Sequence, residues 1–308
     1  MNNFFDRVYG CAVGAAVGDA LGMPLEFGPP QPDNNPVTEM KAGRLPAGTF
    51  TDDTEMALAV ATSLIQSNPI DPHDVAQRFL VWAESNPPDI GIQTRLVLDK
   101  IKQGKTWLET KQWMLKTRPD AAGNGSAMRC WPVALAHWQN WSQNKHDTIL
   151  QNEITHPHPD CISACIFINH LISNALLGSE LLASIPSAYN EAAFSNEFLQ
   201  RLMQAPSKTR NQLANSGWVQ HSLESVVWSL SNTNSFKDAV IQVVNLGNDA
   251  DTAGAIIGAI AGAFYGLSTI PNSWLNQLQG FYPPNDPMRW NVEQIKDIAK
   301  KLMQQNLL

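Results

Sequence analysis

The sequence is short of charge. Asp, Glu, Lys and Arg make up 16% of its 308 residues, the balance is acidic at -7, and no stripe of Lys and Arg occurs anywhere. That shortage excludes a general affinity for nucleic-acid backbone or anionic lipid, both of which need clustered cations. Cysteine is scarce as well. Cys11, Cys130, Cys161 and Cys165 lie in apolar stretches without a C-x-x-C pair, which excludes a zinc ribbon or a disulfide framework and reads as buried free thiols in a reducing, cytoplasmic setting. The apolar run 253–267 is interrupted by glycine and falls short of the roughly 20 residues of a membrane span. Run 8–17 follows Asp6 and Arg7, which together carry no net positive charge, and precedes Asp19, so a signal-peptide reading is rejected. Strand-like alternation is nearly lacking, and neither a repeat of fixed period nor a long linker is found.

Hydrophobic residues are plentiful at 44% and run from end to end, the composition of a folded globular chain. Apolar residues recur at helical spacing over 8–21, 56–65, 75–82, 94–103, 127–137, 160–177, 223–230, 236–244 and 252–265. Pro and Gly punctuate the gaps at 28–36, 86–91, 124–125 and 283–287. The expected fold is all-α, many medium helices joined by loops, in one domain spanning 1–308.

Two acidic segments carry the chemistry. Thr51-Asp52-Asp53-Thr54-Glu55 stands immediately before a helical run; Asp52 with Glu55 resembles a capping box, and helix capping alone accounts for it when it is read in isolation. Asp249-Ala250-Asp251-Thr252 opens another helix, and capping does not readily explain three Asp and Thr oxygens in four positions. Together they offer Thr51, Asp52, Asp53, Asp249, Asp251 and Thr252, hard oxygen donors without His or Cys, a set that suits magnesium or manganese and not zinc. Four carboxylates meeting without a metal would repel or protonate, and two divalent cations would neutralise them.

Two further segments bear on a ligand. Gly123-Asn124-Gly125-Ser126-Ala127-Met128-Arg129 is a glycine-rich turn ahead of a helical run, either an anion site built from backbone amides or an ordinary helix start. His156 and His158 flank Pro157; the proline makes a shared metal chelate awkward and leaves a pocket wall or a helix start.

In this order, with Gly18-Asp19-Ala20-Leu21-Gly22 and Glu26 ahead of them, these motifs resemble the ADP-ribosylglycohydrolase family, which includes the dinitrogenase reductase-activating glycohydrolases. The resemblance runs over about 9–267. It implies an orthogonal multi-helix bundle with a binuclear cleft, two Mg²⁺ or Mn²⁺ ions held by Thr51, Asp52, Asp53, Asp249, Asp251 and Thr252, and a diphosphate and ribose cradle at 123–129. Glu26 matches an acidic residue on the loop after the first helix, Asp89 a further acidic residue near the metals, and His156 and His158 a pocket wall. Trp218, in Gly217-Trp218-Val219, stands where a tyrosine is expected and is assigned to the aromatic wall. Segments 190–216 and 271–308 match nothing in the family pattern.

The implied activity is hydrolysis of the bond between ADP-ribose and a modified acceptor, foremost arginine on a protein, with Asp53 among the catalytic ligands and Asp89, then Glu26, as acid/base. Asp19 is expected beneath the site as a hydrogen-bonded structural residue. Implied partners are ADP-ribose, the ADP-ribosylated protein and, in an immunity role, an ADP-ribosylating toxin; the chain is expected to act as a monomer. Competing readings are a silent ADP-ribose or partner binder and a metal-dependent phosphoesterase.

Overall fold

The computed structural model describes residues 2–283, 286 and 288–304, Asn2 by its backbone alone. Fifteen α-helices occur among them. The first five are α1 (Asn2–Gly22), α2 (Asp52–Gln66), α3 (Pro72–Glu84), α4 (Ile92–Lys102) and α5 (Trp107–Thr117). The middle five are α6 (Trp131–Ala136), α7 (Trp141–Glu153), α8 (Pro159–Leu176), α9 (Leu181–Ala192) and α10 (Asn196–Gln204). The rest are α11 (Val219–Asn232), α12 (Phe236–Val244), α13 (Ala250–Tyr265), α14 (Asn272–Gln277) and α15 (Val292–Gln304). The described strands, β1 (Gly280–Phe281) and β2 (Arg289–Trp290), form one short antiparallel pair. Of the loop expected at 283–287, residues 284, 285 and 287 lie outside the described residues.

The fold is organised around α1 and α13. From Gly10 on, every fourth residue of α1 is glycine, and Gly10, Gly14, Gly18 and Gly22 meet Gly262, Gly258, Gly254 and Ala250 in antiparallel order. A Cβ added to Gly18 would stand 1.9 Å from the Gly254 carbonyl oxygen, so only backbones without side chains can approach this closely. The consequence is functional: the C-terminal end of α1, with Asp19, lies beside the N-terminal end of α13, with Asp251. Helix α1 is long and apolar enough to cross a membrane by length and composition, but it is almost wholly buried in the core.

Polarity explains where helices and sequence expectations diverge. The buried face of α7 is Asn144, Asp147, Thr148, Gln151 and Asn152, a helical spacing of polar residues that an apolar pattern cannot reveal. Asn144 donates to Ser173 Oγ at 3.0 Å and Thr148 accepts from Asn169 at 2.8 Å, so the burial is satisfied by hydrogen bonds. Helix α15 does show apolar periodicity, with Ile295, Ile298, Ala299, Leu302 and Met303 buried, and it packs on α1, α2 and α6. The run expected over 127–137 is helical only over Trp131–Ala136; residues 125–129 are turns.

Candidate active site

Helix α2 starts on a cap, though not the one expected. Thr51 is the N-cap, its Oγ1 accepting from the Asp53 amide at 3.4 Å, and Asp52 and Asp53 occupy the first turn. Glu55 does not close a capping box; its Oε2 accepts from Trp82 Nε1 at 2.7 Å. Burial pushes the Glu55 carboxyl up to about 8 against that hydrogen bond.

Asp19 is the post on which this turn is built. Fully buried, it accepts from the Thr51 amide at 2.9 Å, Thr51 Oγ1 at 2.9 Å, the Thr54 amide at 3.2 Å and Thr54 Oγ1 at 2.6 Å. Burial raises its carboxyl to about 6 although all four bonds favour the charged form. The expectation of a structural aspartate beneath the site is met in its geometry.

The second acidic segment is turned by two left-handed residues, Gly247 (φ 68°) and Asn248 (φ 53°), ahead of Asp249. A Cβ at Gly247 would meet the Gly28 carbonyl oxygen at 2.6 Å, so loop 26–29 lies directly on this turn; the Phe27 amide donates to the Asn248 carbonyl at 2.6 Å. This brings Glu26 to the same point as the aspartates. Glu26, Asp249 and Asp251 each place a carboxylate oxygen within 4.8 Å of the others, and Thr252 Oγ1 donates to Asp53 Oδ1 at 3.3 Å. The two segments, nearly 200 residues apart in sequence, therefore share one floor.

That floor is electrostatically uncomfortable as a set of side chains alone. Burial first, then the neighbouring carboxylates, push Asp52, Asp53 and Asp251 well above the usual carboxylate range. Asp53 Oδ2 is buried without a hydrogen-bond partner among the described residues. An orphaned carboxylate oxygen among hard oxygen donors fits a divalent cation, and the donor set suits magnesium or manganese.

Above the floor is a cavity of about 680 Å³, within the range that holds small-molecule ligands. Its lining includes Asp52, Asp53, Asp249, Asp251 and Thr252 from the ligand set, with Glu26, Asp89, Gly123, Asn124, Gly125, Met128 and His156. Asn124 donates to Asp249 Oδ2 at 2.6 Å and to Ser222 Oγ at 2.7 Å, tying the glycine-rich turn to the acidic floor. Gly125 is glycine because His156 stands against it; a Cβ there would lie 2.9 Å from His156 Cε1.

Other expected site residues lie elsewhere. Thr51 is beneath the floor, bonded to Asp19. Ser126 is fully buried and accepts from Cys165 Sγ at 3.6 Å. His158 caps α8, its Nδ1 accepting from the Asp160 amide at 3.1 Å. Trp218 packs edge-on against His221, ring centroids 4.7 Å apart, with Arg201 over its face at 5.3 Å; Gly217, not Trp218, lines the cavity.

Arg129 differs most from expectation. It is fully buried and faces away from the cavity, with its guanidinium 4.4 Å from the Phe79 ring centre and Nη2 donating to Thr155 Oγ1 at 2.6 Å. Six-residue α6 begins only at Trp131, so the turn holds Arg129 inward instead of presenting it to a phosphate. Its effect on the cavity is indirect. Thr155 Oγ1, which accepts from Arg129, lies 2.7 Å from His156 Nδ1 and so links the buried guanidinium to the ring that borders the cavity. Burial, with Arg129 nearby, holds the His156 imidazole well below its usual range and therefore neutral.

The residue that sequence reading missed is Arg44. Its Nη2 lies 3.0 Å from Asp89 Oδ2 and 3.4 Å from Asp251 Oδ2, and its guanidinium also pairs with Glu26, Nε to Oε2 at 3.0 Å. Burial opposes its charge, but these three carboxylates outweigh that and raise it further. No local pattern marks Arg44; only the folded loop brings it among acids.

The comparisons with known proteins follow this geometry. The family model described as ADP-ribosylglycohydrolase matches residues 1–307. The chain belongs to the ADP-ribosylglycohydrolase family. It is 32% identical over 292 residues to the ADP-ribosylarginine hydrolase Tri1 of Serratia proteamaculans, covering 89% of this chain and 75% of that protein. It is 33% identical over 280 residues to the ADP-ribosyl-[dinitrogen reductase] glycohydrolase of Rhodospirillum rubrum, covering 89% and 90%. A solved structure described as an ADP-ribosylglycohydrolase-related protein complex superposes with a TM-score of 0.77 at 29% identity, covering 99% of both chains. The all-α architecture and the family's hydrolase character are thus those of this chain.

Proposed function

We propose that this ADP-ribosylglycohydrolase-family member, acting as one domain and as a monomer, hydrolyses the bond between ADP-ribose and an arginine side chain on a protein, using two Mg²⁺ or Mn²⁺ ions. The observation that carries the reading is the convergence of both acidic segments on the floor of a cavity large enough for ADP-ribose. Names of relatives support it: one similar protein is an ADP-ribosylarginine hydrolase, another acts on ADP-ribosyl-dinitrogen reductase.

Asp52, Asp53, Asp249, Asp251 and Thr252 would hold the ions, with Glu26 close enough to join them and Thr51, bonded to Asp19, holding the turn that carries the first two. When bound, the ions supply Lewis acidity and a lowered pKa for water. The chain supplies the rest. Asn124 and the turn around it hold the ligand against Asp249, while the neutral His156 brings Nε2 beside Gly123 and Gly125 to bond the ligand. Asp89 lies at the edge of the cavity, 27% exposed in its side chain, and is the carboxylate that takes a proton from the attacking water and passes one to the departing acceptor. Arg44 bonds to both Asp89 and Glu26, and thereby fixes their positions.

The test is substitution of the floor. Asp53→Ala and Asp251→Ala are expected to lose magnesium or manganese binding in calorimetric titration and to lose nearly all release of ADP-ribose, with helical circular dichroism retained. Full turnover by either variant would remove the metal assignment.

A further inference from the structure

A second cavity, of about 390 Å³, opens on the other side of Asp89. It shares Asp52 and Asp89 with the main cavity, and Arg44 reaches Asp89 and Asp251 from it. Its far wall comes from the segment after residue 271, to which the sequence assigns no motif. Gln279 lies alongside Thr49 as a parallel bridge, the Phe50 amide donates to the Gln279 carbonyl at 3.0 Å, and the Gln279 amide donates to Gly48 at 2.8 Å. Gly280 is pressed onto Phe50, where a Cβ would lie 2.2 Å from the ring. The C-terminal hairpin is thus built directly onto the loop that ends at Thr51, and it presents Phe281, 40% exposed, to the second cavity.

We infer that this second cavity is the acceptor subsite, which receives the side chain carrying the ADP-ribose while the nucleotide occupies the main cavity. The inference rests on the proposed function and specifies it. A bond to be broken must lie where the two cavities meet, and Asp89 is common to both. The walls suit a guanidino group: Asp52 and Glu55 supply carboxyl oxygens that accept its N–H groups, and the exposed Phe281 ring supplies a face on which a planar cation stacks. Pro46 and Pro88 line the remainder and accommodate the methylene stem. Arg289 lies exposed on β2 and lines the same cavity, where it can donate to main-chain carbonyls of the acceptor protein.

The experiment compares Phe281→Ala and Phe281→Tyr with the parent protein in magnesium, on ADP-ribosyl-arginine as substrate and free ADP-ribose as ligand. Phe281→Ala is expected to raise KM for ADP-ribosyl-arginine about fivefold, the upper end of the scale of an exposed aromatic–guanidinium contact. Under the same conditions kcat stays within about twofold and the Kd for ADP-ribose is unchanged; Phe281→Tyr restores KM. An unmoved KM, or equal weakening of both ligands, overturns the subsite. If the parent protein binds ADP-ribose but cleaves nothing, the hydrolase reading fails separately, and the subsite is decided by affinities: Phe281→Ala must weaken ADP-ribosyl-arginine and spare ADP-ribose.

Discussion

Replacing Asp19 by alanine tests how the turn that carries Asp52 and Asp53 is held. The carboxylate accepts four hydrogen bonds from Thr51 and Thr54 in a fully buried position. Its removal orphans two amides and two hydroxyls, each costing about 1–3 kcal/mol when left buried and unpaired. The two hydroxyls can rotate toward other oxygens, so a net loss of about 3–5 kcal/mol is expected, against total stabilities of about 5–15 kcal/mol for natural domains. At about 2 °C per kcal/mol for a chain of this size, the melting temperature should fall by about 6–10 °C. The same turn carries Asp52 and Asp53, so magnesium or manganese affinity should weaken at least tenfold, measured by calorimetry well below the melting transition. Asp19→Asn retains one acceptor oxygen but sets an amide group against Thr donors, and should fall between the two. An Asp19→Ala protein with parental melting temperature and metal affinity would refute the reasoning.

Two other predictions concern buried groups away from the floor. Asp147 accepts from the Ile70 amide at 2.9 Å, His137 Nε2 at 2.9 Å and Gln143 Nε2 at 2.7 Å; burial alone would raise its carboxyl, but the hydrogen bonds prevail and hold it below the usual range. A depressed folded pKa means stability that is present above the unfolded value of about 3.9 and lost as pH falls through the folded one. Asp147→Ala should therefore cost about 2–4 kcal/mol at neutral pH, shrinking below about pH 4; a pH-independent difference in urea unfolding would contradict this. Arg129→Met should keep the fold, since an apolar group replaces a buried cation that has no carboxylate partner among the described residues. It should weaken ADP-ribose binding about tenfold, because Thr155 then loses the bond that holds it against His156 Nδ1; unchanged affinity would show that His156 is positioned by other means.

The site was legible in sequence to the extent that its chemistry is local. Asp52-Asp53 and Asp249 with Asp251 declare themselves as crowded carboxylates, and Asn124 and His156 stand in turns that do line the cavity. Arg129 was misleading because a cation beside a glycine-rich turn has the composition of a phosphate site, while its orientation depends on Phe79, Gln151 and Thr155 from three other elements. Arg44 was invisible for the opposite reason: an isolated arginine in a Pro- and Gly-rich loop acquires meaning only when the loop folds over Glu26, Asp89 and Asp251. In the fold, helices with apolar stripes such as α2 and α13 were readable, whereas α7 buries a polar face. The glycine spacings 10, 14, 18, 22 of α1 and 254, 258, 262 of α13 become significant only through their contact across the core.

The most direct test is mass-spectrometric product analysis after incubating the protein with arginine- and serine-linked ADP-ribosylated proteins, in magnesium or manganese and then in chelator. The account predicts free ADP-ribose and an unmodified arginine side chain, in metal only. Release of AMP or phosphate, or ADP-ribose release that persists in chelator, would contradict it, as would tight ADP-ribose binding with no turnover of any substrate.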